Sequence, residues 1–170
     1  MGTSIYFRYV CISSVHWPFI MPSVQVTDEA YVCHSAGLLY RQGYEYFKSL
    51  GSTTEFFRVM HSAGRLENNV SIDVDKRRIY IDISEDMVYS VNTQYAGNTV
   101  GFKKLSLRLA IQKAAKEGWL AEHMFIMGVN GPAGRKTYFA GAFPSACGKT
   151  STAMLPGQTI VGDDIAYFRK

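Results

Sequence analysis

The stretch GAFPSACGKT occupies residues 141–150, and Gly162-Asp163-Asp164 follows it after a short gap. Apolar runs precede both stretches, which predicts two strands that end in polar loops. A Gly-Lys-Thr after a strand offers backbone N–H groups, an ammonium and a hydroxyl, which are the groups that bind phosphate and its metal ion. The two carboxylates are suited to hold that divalent ion. Together the stretches predict a nucleotide-phosphate site.

The loop departs from the ordinary Walker pattern Gly-x-x-x-x-Gly-Lys-Ser/Thr, because Phe143 stands where that pattern has glycine. A loop that merely contains Gly-Lys-Thr is therefore the competing interpretation at this point. If the loop binds phosphate, its N–H groups surround the β-phosphate, Lys149 neutralises phosphate oxygens and Thr150 gives its hydroxyl oxygen to Mg²⁺. The predicted nucleotide-binding residues are Ala146, Cys147, Gly148, Lys149, Thr150 and Ser151.

Cys147 and a second group of residues are further candidates for chemistry. Cys147 lies beside Lys149, and a neighbouring cation favours the reactive thiolate, so we expect alkylation of Cys147 to block nucleotide binding. His123 and Lys104 can join Asp164 in a second metal site only through folding. Lysine binds a metal only as the neutral amine, so spacing alone disfavours Lys104 as a ligand.

Composition limits the class of protein. A chain of 170 residues with 47% apolar and 19% charged residues has the size and composition of one folded domain. The net charge of +4 gives little support to nucleic-acid binding. The three cysteines lack disulfide or zinc spacing, and the apolar stretch over residues 6–21 is interrupted by Arg8, His16 and Pro18. We expect a cytoplasmic protein without a membrane span or signal peptide.

Hydrophobic periodicity predicts a mixed first part and a sheet-like second part. Residues 1–26 are expected to form two strands joined near Trp17-Pro18, residues 30–50 a helix and residues 53–64 a second helix that carries His61 in a packing role. Alternation predicts a hairpin over residues 79–91, and a helix follows over residues 101–117. The later strands are predicted at residues 124–129, 137–142 and 159–161.

These elements predict an α/β fold class, in which an α+β first part is joined to the start of a P-loop-type nucleotide-binding sheet. The expected boundary separates residues 1–118 from residues 119–170. A P-loop sheet ordinarily has further parallel strands and covering helices, so the second domain is expected to be incomplete.

Four stretches in order resemble GTP-dependent phosphoenolpyruvate carboxykinase. They are YAGNTVGFKK at 95–104, EGWLAEHM at 117–124, AFPSACGKT at 142–150 and VGDDIA at 161–166. The resemblance is strong over residues 77–168, fair over residues 25–64 and weak before them. It accounts for Phe143, because the GTP-using class is similar in its Phe-Pro-Ser-Ala-Cys-Gly-Lys-Thr loop, whereas the ATP-using class has a more glycine-rich loop.

The resemblance implies roles for individual residues. Lys104, His123 and Asp164 resemble the ligands of the catalytic Mn²⁺, which reverses the inference from spacing about Lys104. Lys149 and Thr150 match the residues that bind the nucleotide phosphates and the nucleotide metal Mg²⁺, and Asp163 supports the metals. The implied substrate-binding residues are Tyr95, Ala96, Gly97, Asn98 and Ser145, and the implied catalytic residues are Cys147, Lys104 and Tyr95. Ala96 departs from the family, since many members have glycine there.

The implied reaction converts oxaloacetate and GTP to phosphoenolpyruvate, GDP and CO₂, and serves gluconeogenesis. Other parts of the family's active site, including the guanine pocket, are expected outside these residues, so we expect a truncated chain that is inactive alone and a full-length enzyme that is a monomer. A different P-loop phosphotransferase and a non-catalytic nucleotide-binding fragment are the alternatives. Small molecules are the expected partners, and neither nucleic acid nor a membrane is expected.

Overall fold

A computed structural model describes residues 4–12, 20–93, 102–144 and 146–170. The chain divides into two compact units, Met1–Leu109 and Ala110–Lys170, and each unit is described by itself. No helix among the described residues is long and apolar enough to cross a membrane.

The described residues of the first unit form eight strands, two complete helices and the start of a third. The strands are β1 Tyr6–Cys11, β2 Pro22–Thr27, β3 Arg41–Gln42, β4 Phe57–Ser62, β5 Leu66–Glu67, β6 Val70–Ser71, β7 Arg78–Asp82 and β8 Met87–Val91. The helices are α1 Ala30–Leu39, α2 Tyr44–Leu50 and α3 Phe102–Glu117, the last of which ends in the second unit. A 3-10 turn lies at Val74–Lys76.

Six of these strands form one mixed sheet in the order β3-β1-β2-β4-β8-β7. The central strands β2, β4 and β8 are parallel, and antiparallel pairs flank them on both sides. Helix α1 packs on β1 and β2. Valines from three strands and from α1 form the buried core, with exposed fractions of 0–1% for Val10, Val32, Val59 and Val88. The predicted strands of residues 1–26 and the hairpin of residues 79–91 are confirmed, whereas the turn at Trp17-Pro18 lies outside the described residues.

The prediction of one helix over residues 30–50 is wrong in its middle. Helix α1 ends at Leu39, and β3 pairs with β1 through Gln42 and Val10 before α2 begins. A Cβ atom at Gly43 would lie 2.8 Å from the carbonyl carbon of Val10. The chain therefore leaves the helix to close the sheet edge, and glycine permits its approach to β1.

The prediction of a helix over residues 53–64 is wrong. This segment contains β4, a central strand of the sheet between β2 and β8. Phe57, Val59 and His61 are buried, while Arg58, Met60 and Ser62 between them are more exposed, which is the period of two of a strand. The pairing partners are distant in sequence, so local helical spacing was a misleading signal.

In the second unit, the residues that the structure describes form five strands and one short helix besides the end of α3. They are β9 Leu120–Glu122, β10 Phe125–Asn130, β11 Lys136–Gly141, β12 Thr159–Gly162, β13 Ala166–Phe168 and helix α4 Lys149–Ala153. Strand β10 lies between β11 and β12 in an antiparallel sheet, and β9 pairs with β13. The predicted strands at residues 124–129, 137–142 and 159–161 and the helix over residues 101–117 are confirmed within one or two residues. The α/β class is also confirmed.

Candidate phosphate and metal site

The loop over residues 141–150 is anchored to the core of the second unit by Phe143. Its ring packs edge to face on Phe125 of β10, with 5.4 Å between the ring centroids. Phe125 and Met127 form the buried core with Ala153 of α4. Phe143 thus replaces a flexible glycine with an aromatic contact that holds the start of the loop on the sheet.

The turn that leads into α4 depends on left-handed backbone. Ala146 has a φ of 63° and Gly148 has a φ of 87°. The N–H of Cys147 donates to the carbonyl of Pro144 over 3.2 Å, and α4 begins at Lys149. The turn is accessible to a ligand or a reagent, because its side chains are exposed at Ala146, Cys147, Thr150 and Ser151.

Lys149 and His123 converge on the carboxylate of Asp164. Lys149 Nζ donates to Asp164 Oδ1 over 2.5 Å and to the carbonyl oxygen of Asp163 over 2.7 Å. His123 Nε2 lies 2.6 Å from the same Asp164 Oδ1. The side chain of Lys149 is 11% exposed and that of Asp164 is 22% exposed, so the ion pair is partly shielded from water.

Strand pairing explains why residues so distant in sequence meet. Strand β13 pairs antiparallel with β9, so that Ala166 lies opposite Glu122. His123 directly follows β9 and Asp164 precedes β13 by two residues, which places both at the same end of this strand pair. Strand β12, which leads to Asp163, pairs with β10 in the sheet that carries the loop.

The donor atoms of this cluster suit a divalent metal ion. Imidazole nitrogen and carboxylate oxygen are both ordinary ligands of first-row divalent ions such as Mn²⁺. An ionised carboxylate only accepts hydrogen bonds, so the Nε2 of His123 donates its hydrogen to Asp164. For Nε2 to bind a metal, that hydrogen must move to Nδ1. Within the described ranges, no three His, Cys, Asp or Glu side chains form a group that could hold a metal ion.

Two further groups of predicted site residues are not part of the described second unit. Lys104 is exposed on α3 in the first unit, whereas His123 and Asp164 belong to the second. The substrate residues Tyr95, Ala96, Gly97, Asn98 and Ser145 lie outside the described residues.

A buried polar network in the first unit was not predicted from the sequence. His61 Nδ1 lies 2.8 Å from Thr27 Oγ1, and His61 Nε2 lies 2.8 Å from the carbonyl oxygen of Thr93. Burial lowers the pKa of His61, opposed by the hydrogen bond to Thr93 and by the charges of Asp28 and Glu29. The packing role expected for His61 is thus confirmed, although it lies on a strand. The sequence signal for this network is limited to the polar residues that stand at the ends of three apolar segments.

Comparisons with models of known protein families identify the class of protein. Residues 119–170 match the family model described as "Phosphoenolpyruvate carboxykinase C-terminal P-loop domain", so the loop and its helix belong to a P-loop domain. Residues 1–115 match the model described as "Phosphoenolpyruvate carboxykinase N-terminal domain". The chain belongs to the phosphoenolpyruvate carboxykinase family.

Several curated relatives match nearly the whole chain. Proteins named phosphoenolpyruvate carboxykinase [GTP] from Pyrococcus horikoshii and Thermococcus kodakarensis are each 58% identical to it, over 99% and 98% of this chain. One of the same name from Saccharolobus solfataricus is 47% identical over 99% of this chain. The chain spans 27%, 27% and 26% of the lengths of these relatives. The resemblance to the GTP-dependent family is confirmed.

Proposed function

We propose that this chain supplies a metal and phosphate site to a GTP-dependent phosphoenolpyruvate carboxykinase, which converts oxaloacetate and GTP to phosphoenolpyruvate, GDP and CO₂. The observation that carries the proposal is the convergence of Lys149 and His123 on Asp164. In this cluster, the P-loop lysine lies beside an imidazole and a carboxylate, which are two kinds of side chain that suit a metal ion. The names of the relatives support the choice of reaction.

Lys149 and Thr150 are proposed to bind the nucleotide phosphates and their Mg²⁺. The ammonium of Lys149 already contacts two oxygen atoms, and phosphate oxygens are stronger acceptors of the same kind. The hydroxyl of Thr150 is exposed at the start of α4, where a metal ion can reach it. Asp163 supports the site, since its carbonyl oxygen orients Lys149. The loop residues Ala146, Cys147, Gly148 and Ser151 are proposed to line the nucleotide.

His123, Asp164 and Lys104 are proposed to hold Mn²⁺. His123 and Asp164 fit the ion because their donor atoms lie side by side and belong to two kinds of ordinary ligand. Lys104 can contribute only as the neutral amine, which a nearby cation favours over the ammonium. When bound, the metal ion supplies charge stabilisation to an anionic substrate.

Substrate binding is proposed for Tyr95, Ala96, Gly97, Asn98 and Ser145, with Tyr95 packing on phosphoenolpyruvate. The proposed division into a substrate-side part, residues 1–118, and a nucleotide-side part, residues 119–170, is close to the extents of the two family matches. We further propose that the full-length enzyme is a cytoplasmic monomer.

Calorimetric titration of the 170-residue chain with Mn²⁺ and then with GTP tests the site. We expect both to bind, and we expect Asp164→Asn to weaken Mn²⁺ binding by about tenfold or more, since it removes a charged ligand. Asp75→Asn is the matched control, because Asp75 is an exposed carboxylate outside the site. Equal Mn²⁺ affinity in Asp164→Asn and wild type would contradict the assignment.

Activity is tested separately from binding. We expect the 170-residue chain alone to show no oxaloacetate-dependent conversion of GTP to GDP, whereas a protein of the length of its relatives should show it. A general P-loop phosphotransferase would hydrolyse or transfer from GTP without requiring oxaloacetate. Measurable turnover by the 170-residue chain would contradict the expectation that it is inactive alone.

A further inference from the structure

A row of apolar side chains crosses five strands of the mixed sheet on one of its faces. The residues that lie side by side in the register of β1, β2, β4, β8 and β7 are Phe7, Val26, Met60, Tyr89 and Tyr80. Neighbouring strands lie about 4.8 Å apart, so these five side chains form a line about 19 Å long. We call this set of residues the apolar row.

The apolar row is open to solvent, whereas the opposite face of the sheet is closed. Successive residues of a strand point to opposite faces. Val59, which precedes Met60 in β4, is 1% exposed, and Val88, which precedes Tyr89 in β8, is 0% exposed. The exposed fractions in the apolar row are 60% for Phe7, 40% for Met60, 41% for Tyr89 and 57% for Tyr80. One face of the sheet is therefore a buried core, and the other presents aromatic and apolar side chains to water.

The strands in the middle of the apolar row are of the kind that is ordinarily covered on both faces. Strands β2, β4 and β8 are parallel, and parallel strands in proteins are buried on both sides. Helix α2 packs beside the row on the same face, where Tyr44 and Phe47 lie edge to face on Tyr9 of β1. The row itself stays exposed, and a contiguous apolar surface of this kind marks a place of contact with a partner.

The area of this surface is sufficient for a weak dimer. With about 200 Å² for a whole aromatic side chain, Phe7, Tyr80 and Tyr89 together expose roughly 300 Å². Met60 and Val91, which follows Tyr89 by two residues on the same face, raise this to roughly 400 Å² in each copy. Two such surfaces and the rim around them bury about 1,000 Å², which is the lower limit for a specific interface.

The charges on this face also suit a second copy of the chain. The five residues of the apolar row are uncharged, so two copies can face each other without burying an ion. The charged side chains that flank the row in these strands, Arg58, Arg78 and Asp82, have hydrogen-bond partners within their own chain. A contact with twofold symmetry requires a self-complementary surface, and an uncharged apolar row meets that requirement.

We propose that the apolar row is the contact surface between two copies of the 170-residue chain, with Met60 next to the twofold axis. Met60 is the middle residue of the row, so it faces the same residue of the second copy. This inference concerns the 170-residue chain rather than a full-length enzyme, and it does not rest on the proposed function.

Sedimentation equilibrium of the 170-residue chain tests the contact. We expect a monomer–dimer equilibrium with a dissociation constant of about 1–100 μM, since the interface is small. Met60→Lys should weaken dimerisation by about a hundredfold or more, because it places two ammonium groups against each other. Met60→Leu keeps an apolar side chain of similar volume and should stay within about threefold of wild type. Met154→Lys is the matched control, because Met154 is 57% exposed and lies outside the apolar row.

Tyr80→Lys provides a second variant if Met60→Lys does not fold, because Tyr80 lies on β7 at the end of the strand order. It should weaken dimerisation by about tenfold or more, and circular dichroism checks that the variants are folded. A dimer that is as stable in the folded Lys variants of the row as in wild type overturns the assignment of this face. Growth beyond two copies also contradicts it, since a twofold contact closes at the dimer.

A wild-type chain that stays monomeric up to about 200 μM overturns the second copy as the partner of this face. The covering partner would then be sought in a protein of the length of the relatives. A lower stability of that longer protein with Met60→Lys, and an unchanged stability with Met154→Lys, would assign the apolar row to a contact within it instead.

Discussion

Lys149 Nζ donates a hydrogen bond to Asp164 Oδ1 over 2.5 Å, and His123 Nε2 lies 2.6 Å from the same oxygen. The proposed phosphate-binding ammonium thus pairs with the proposed metal-binding carboxylate. A metal ion must compete with Lys149 for Asp164, and nucleotide phosphates that attract Lys149 release Asp164. The two ligands are therefore expected to assist each other's binding.

Replacing Lys149 by Met should tighten Mn²⁺ binding in the absence of nucleotide by about threefold or more, because Asp164 loses its competing cation. The same variant should lose most of its GTP binding. Electron paramagnetic resonance of free Mn²⁺ measures the first effect and calorimetry the second. Lys136→Met is the matched control, since Lys136 Nζ contacts Thr159 Oγ1. Weaker Mn²⁺ binding in Lys149→Met would show that the lysine supports the metal site instead.

Replacing Gly141 by Ala should destabilise the second unit and shift the phosphate loop. A Cβ atom there would lie 2.4 Å from the Phe125 ring, which carries the contact to Phe143. The buried ring has little room to move, so we expect a loss of about 1–3 kcal/mol in the free energy of unfolding, measured with urea. Gly162→Ala is the control, because nothing lies within 4 Å of a Cβ at Gly162. Equal stability of the two variants would contradict this.

Features set by nearby residues were predictable from the sequence, and features set by distant pairing were not. The hairpin of β7 and β8 and the buried strand β10 follow from alternation and apolar runs over a few residues. Local spacing predicts a helix where β4 lies, because the parallel neighbours that make it a strand, β2 and β8, are about thirty residues away on either side.

The same distinction holds for the candidate site. The local motif was enough to propose that Lys149 lies near Asp163 and Asp164, and the hydrogen bonds show these residues together. The spacing in the sequence could not predict that His123 lies beside Asp164, since their contact depends on the pairing of β9 with β13. The packing role of Phe143 could not be predicted either, because it depends on the contact with Phe125 of another strand.

Cys147 should react with N-ethylmaleimide much faster than Cys11, and its modification should block GTP binding. Cys147 is exposed in the phosphate loop, whereas Cys11 is 1% exposed and burial raises the pKa of its thiol. Peptide mass spectrometry gives the order of modification, and calorimetry gives the affinity for GTP. Cys147→Ser should bind GTP before and after treatment. Full GTP binding by a chain completely modified at Cys147 would contradict the prediction.

Acid should destabilise the first unit through His61. Burial lowers the pKa of His61 in the folded chain. As the pH decreases, the unfolded chain therefore binds a proton at this imidazole before the folded chain does, at the ordinary histidine pKa of about 6.5. Stability is therefore retained above that pH and falls as the pH decreases toward the folded pKa, by at most about 1.4 kcal/mol per pH unit. Urea unfolding measures this loss of stability at about pH 7.5 and about pH 5.5, on either side of the ordinary histidine pKa of about 6.5.

The matched variants isolate the contribution of His61 from those of the other titrating groups. His61→Gln cannot take up the proton, so its free energy of unfolding should decrease less between the two pH values than that of wild type. Exposed His34→Gln is the control for the loss of one histidine. Parallel pH dependence of wild type and His61→Gln would mean that burial does not hold His61 neutral in the folded chain.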